Sequence, residues 1–98
     1  RQMISYAQNA ADKITSTADL VYSQGPPAKV NVKIYIPPGV GNISISGNMI
    51  NIKIWVNAGY SDIFSFSLAN MTGSLPTAEG NYWVSIEAVA DGVQISAV

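Results

Sequence analysis

Residues 3–22 read MISYAQNAADKITSTADLVY, and everything else in the fold depends on how this stretch is read. Ile4, Ala7, Ala11, Ile14, Ala18 and Val21 recur at spacings of three, four, three, four and three, the heptad seam of a packed helix. Most of these side chains are small, so another helix or a sheet can approach the seam closely. No Ser, Thr, Asp or Asn cap precedes Met3, and the chain opens on Arg1. The pattern therefore reads as cut from something longer, with residues 1–24 the part of the helix present. Two packings are open. The helix can lie on its own sheet, or the sheet can cover it near Val21 while a partner covers it near Met3. On the second reading Ile4, Ala7 and Ala11 lie upstream of any sheet contact and serve assembly more than folding.

The helix is expected to stop between Tyr22 and Gln24, because Gly25-Pro26-Pro27 follows. From there the period changes from 3.6 to 2. In Lys29–Ile36, Val30, Val32, Ile34 and Ile36 alternate with Lys29, Asn31, Lys33 and Tyr35, a half-buried strand. Asn42–Ser46 and Met49–Val56 form a hairpin about the Gly-first turn Gly47-Asn48. Asp62–Leu68 is a fourth strand, with Phe64, Phe66 and Leu68 assigned to the core and Ser65 and Ser67 to water. Ala69–Asn81 is the longest irregular stretch. Asn81–Ala90 and Val93–Val98 are joined by Asp91-Gly92, which reads as a type I′ turn. The expected fold is α+β: an N-terminal helix, then an antiparallel β domain over 29–98, one sheet or a small β-sandwich of about six strands. Its core is expected to contain Ile34, Ile52, Phe66, Val84 and Ile86. Trp55 and Trp83 fall opposite the aliphatic stripes. They are assigned to burial beneath the helix, the other reading being an exposed aromatic patch for a partner or a carbohydrate.

The chain has 98 residues, enough for one core. Only 11% are charged, under half of the ~25% usual in soluble domains. Ser, Asn, Thr and Gln cover the surface instead, which suits display outside a cell or packing among copies. Net charge is −1 with no basic cluster, so nucleic acid is excluded as a partner on electrostatic grounds. With no cysteine there are neither disulfides nor thiolate metal sites. No apolar run reaches the ~20 residues that span a bilayer.

The sequence holds no histidine or cysteine to activate a nucleophile, and its acidic residues are Asp12, Asp19, Asp62, Glu79, Glu87 and Asp91. Asp12 and Asp19 stand too far apart along a helix to share a proton. Asp91 belongs to a turn, and a cross-strand meeting of Glu87 with Asp62 is left open. The reading is a non-enzyme without cofactor or metal. Lys33 and Lys53 lie in apolar strands, where an isopeptide crosslink to an Asn competes with plain solvation, and alternation favours solvation. Asn42-Ile43-Ser44 and Asn70-Met71-Thr72 match the N-glycan acceptor pattern. Asn70, in the long loop, is expected to be the better acceptor.

Three further stretches carry a resemblance. They are Asp19–Pro26 at the helix exit, Lys33–Val40 followed by Asn42–Asn48, and Gly73–Thr77 leading into Gly80-Asn81-Tyr82. In their order after a seam-bearing helix they resemble archaeal type IV pilin-like proteins, which are made with a prepilin-type leader. The resemblance implies an apolar helix that anchors the precursor in the membrane and then forms the filament core, with a β domain displayed outside the cell. The leader site and the fully apolar first half of the helix do not occur in this sequence, so the resemblance implies that residues 1–24 are the second half of that helix and Arg1 an engineered or trimmed start. The implied partners are copies of itself or other pilin-like subunits. The expected function is a structural subunit of an extracellular filament. The alternatives are an accessory protein of the filament machinery, or an adhesion or carbohydrate-binding module using Trp55, Trp83 and the 69–81 loop. A helix projecting with Met3, Ile4 and Ala7 uncovered favours the filament, and a helix absorbed into the β core favours the module.

Overall fold

A computed structural model describes residues 2–98; Arg1, on which the reading of a trimmed start rests, lies outside them. The chain is α+β. Helix α1 (Gln2–Gln24) is followed by β1 (Lys29–Ile36), β2 (Val40–Ser46), β3 (Met49–Val56), β4 (Gly59–Phe66), β5 (Met71–Gly73), β6 (Gly80–Val89) and β7 (Gly92–Ala97). Gly25 closes the helix at φ +76°, its N–H donating to Val21 O at 3.0 Å, the left-handed cap that only glycine adopts without strain. No helix among the described residues is long and apolar enough to cross a membrane.

The strands form two sheets, ordered β1-β6-β7-β5 and β2-β3-β4. Seven strands replace the expected six, and one pairing is parallel. β5 emerges from the stretch read as irregular and runs parallel to β7, Met71 against Val93 and Gly73 against Ile95. Two glycines permit this. A Cβ on Gly73 would collide with the carbonyl of Ile95, and one on Gly92 with the carbonyl of Asn70. Gly92 therefore opens β7, and the tight turn before it is Ala90-Asp91, since Val89 pairs with Gly92. The type I′ reading of Asp91-Gly92 is corrected accordingly: Gly92 is required by a close neighbour, not by the turn.

The inner faces of both sheets and one side of α1 share a single core. Ile34, Ile36, Ile50, Ile52, Ile54, Val84, Ile86 and Ile95 meet Ala7, Ala11, Ile14, Ala18 and Val21 there. The alanines let the helix sit close to the strands. Over 23 residues the helix is about 34 Å long, against a longest molecular extent of 43 Å. The expectation that Ala7 and Ala11 lie clear of the sheets does not hold. Both are 0% exposed, and Met3 and Ile4 are partly buried against the same core.

Candidate functional site

The helix is held at both flanks. β1 ends one sheet and β4 ends the other, so each carries edge backbone groups with no strand beside them. On the β1 side Lys13 Nζ donates to Lys33 O at 2.7 Å. On the β4 side Gln8 Nε2 donates to Phe64 O at 3.1 Å. Two aspartates, seven residues apart and so on one flank, reach β4 and the residues just after it. Asp12 Oδ1 accepts from Ser65 Oγ at 2.8 Å, and the Thr15 hydroxyl lies 2.7 Å from that same Ser65 oxygen. A hydroxyl has one proton, so with Ser65 donating to Asp12 the relay runs Thr15 to Ser65 to Asp12. Asp19 Oδ1 accepts from Ser67 Oγ at 2.6 Å and from Leu68 N–H at 2.7 Å. Hydrogen bonds to a charged acceptor contribute about 1.5–3 kcal/mol each.

These bonds determine which way β4 faces. Ser65 and Ser67 are buried, while Phe64, Phe66 and Leu68 are 47%, 62% and 84% exposed. The assignment of Phe66 to the core, and of the three large side chains to the inner face, is overturned. The approach of α1 leaves room for serines and supplies their acceptors. Of the expected core, Ile34, Ile52, Val84 and Ile86 are buried.

The outward side of β2-β3-β4 therefore becomes unusually apolar. Direct cross-strand pairs there are Met49 with Phe66, Asn51 with Phe64, Lys53 with Asp62, and Trp55 with Tyr60. The Trp55 and Tyr60 rings meet edge to face, 4.7 Å apart at 74°. Gly41 on β2 leaves space for Tyr60, since a Cβ there would come within 2.9 Å of the ring. Mid-face, Lys53 Nζ and Asp62 Oδ1 are 3.5 Å apart, and Asn51 Nδ2 lies 3.4 Å from the same oxygen. A lysine, an asparagine and an acid are thus adjacent, as an isopeptide bond requires. Both charged side chains are, however, more than 40% exposed, and water solvates the amine that would have to attack.

Trp83 is 54% and Trp55 50% exposed. Burial beneath the helix is corrected for both, because α1 packs on the inner faces while the indoles point outward. They also stand on different sheets, which prevents a shared aromatic site. Glu87 on β6 and Asp62 on β4 are likewise on different sheets. A groove of about 430 Å³ opens between α1 and β1, lined by Tyr6, Asn9, Lys13, Lys33, Tyr35 and Asn81 among others. Tyr6 meets Tyr35 edge to face at 5.4 Å, and Tyr35 Oη donates to Glu79 at 3.1 Å. Partial desolvation, then the Glu79 carboxylate, raises the Tyr35 phenol above its ordinary value.

Of the proposed assembly seam, Ala7, Ala11, Ile14, Ala18 and Val21 are fully enclosed within this molecule and Ile4 partly so. The two acceptor asparagines, Asn42 and Asn70, are both exposed. Asn42 sits beside a register shift in β2, opposite Lys53. Asn70 immediately precedes β5, and its carbonyl accepts from Val93 N–H at 2.8 Å. The outward row on β4 escaped the sequence reading, although two helix aspartates seeking donors and two serines at alternate strand positions were a signal for it. No protein-family model matches this chain, and no curated protein or solved structure does so either.

Proposed function

We propose that this chain is a non-enzymatic structural subunit of an extracellular, type IV pilus-like filament, the body displayed on a helix at the cell surface. The observation that carries the reading is the clamp on α1. Six hydrogen bonds, from Lys13, Gln8, Thr15, Ser65, Ser67 and the Leu68 amide, join the helix to the two sheets. A subunit held in a fibre by its helix must pass load from helix to body, and bonds at both flanks provide that path. The sparse charge of the surface limits repulsion between copies. The seam itself is spent inside the molecule, so the helix serves here as a strut, and apolar contact surface between bodies is left on the sheets.

The helix is absorbed into the β core, the arrangement that the sequence reading associated with an adhesion or carbohydrate module. The two tryptophans of that module lie on separate sheets, however, and the edge-to-face Trp55–Tyr60 pair offers no flat platform for a sugar ring. Immunogold labelling of cells of the source organism tests the filament proposal. Label along surface filaments, lost with the gene, is expected; label confined to the cell interior overturns it.

A further inference from the structure

We infer that the outer face of the β2-β3-β4 sheet docks a second copy of this chain, about a two-fold axis that runs along the strands between β3 and β4. The inference takes its setting from the filament reading but stands on the geometry of one face. The four rings of Trp55, Tyr60, Phe64 and Phe66, 47–62% exposed, leave on the order of 450 Å² of largely apolar surface in water. That is at the upper end of what monomers ordinarily show. With Met49, Asn51, Lys53 and Asp62 between them, the face approaches the ~800 Å² per partner of a stable interface.

The face is its own complement. Each outward residue of β3 stands directly opposite one on β4. A two-fold between the strands therefore lays Lys53 of one copy over Asp62 of the other, and Asp62 over Lys53. Met49 meets Phe66 and Trp55 meets Tyr60 by the same operation, as an isologous contact requires. The centre carries one positive and one negative charge, so neither a polyanion nor an anionic bilayer finds net attraction there. Direction also agrees. Gln8, Asp12 and Asp19 meet Phe64, Ser65 and Ser67 in order, so α1 runs along β4 in the same sense. An axis along β4 leaves both helices pointing one way, as subunits of one polarity must.

Sedimentation of the purified chain over a concentration series up to about 1 mM, a weak-complex limit, is the test. A reversible dimer is expected. Phe66→Asp and, separately, Asp62→Lys should each weaken it roughly tenfold or more. The charge swap K53D/D62K should restore association, because each copy then again meets its opposite sign. Circular dichroism and thermal unfolding establish that each variant is folded. A monomer throughout the series, a dimer indifferent to Phe66→Asp, or a swap that fails to recover association overturns the inference. None of these outcomes bears on the surface labelling, so the docking inference and the filament proposal fail separately.

Discussion

Ser65 and Ser67 show how little of a residue's place is written in its own chemistry. Ser65 lies on β4 and Ser67 just past its end, in a stretch whose alternate positions are Phe64, Phe66 and Leu68, and hydropathy alone would put the serines outside. Yet each serine hydroxyl meets an aspartate on α1 at 2.6–2.8 Å, and the strand turns to suit them. Full burial of the three large side chains would contribute about 1.5–3 kcal/mol each. The charge-assisted bonds of the clamp are of similar size, so the two orientations are closely balanced and close helix approach tips them. Removing Asp19 orphans the Ser67 hydroxyl and the Leu68 N–H together. Asp19→Ala should cost about 1–3 kcal/mol in urea unfolding. A cycle with Ser67→Ala should show a coupling of at least ~0.5 kcal/mol. Strict additivity of the two substitutions would mean that the bond contributes nothing to the orientation of β4.

At the scale of elements, the helix and most strands were legible because their periods are strong. β1 and β3 occupy the expected residues, and α1 ends at the glycine. The phase of β4 was read the wrong way round, because hydropathy puts Phe64, Phe66 and Leu68 inside and says nothing of the aspartates that α1 brings against Ser65 and Ser67. β5 was hidden for a different reason: a three-residue strand has no period, and its parallel partners on β7 lie 22 residues further along the chain. The helix seam is legible as a packing surface, but the choice between its two open partners is not, since alanines admit a sheet and another helix equally well; the sheets take it as far as Ala7. Enlarging one of them tests the assignment now made. Ala11→Leu forces extra atoms into the contact between α1 and the strands, and should lower stability by about 1–3 kcal/mol in chemical denaturation. Unchanged stability would place that face of the helix outside the core.

For the whole molecule, the two exposed acceptor asparagines separate on geometry. Asn42 lies on β2 directly opposite Lys53, on the face assigned to a second copy, where a glycan would block docking. Asn70 lies before β5, which belongs to the other sheet, with its side chain exposed. Intact-mass and peptide analysis of protein from the native host should therefore find any glycan on Asn70, with Asn42 bare. A modified Asn42 beside a bare Asn70 would contradict both the docking face and the loop argument.

The sequence by itself determined the α+β class, the extent of α1, the hairpin order of the strands and four of the five core residues expected. It did so because 3.6- and 2-residue apolar periods and glycine-proline breaks act locally. Only the tertiary structure decided that both sheets close on the seam, which way β4 faces, and that Trp55 and Trp83 part company. Each depends on which surfaces meet across the fold: for β4, close approach of α1 and hydrogen bonds between residues about fifty positions apart together tip a balance that the hydropathy of a single strand reads the other way.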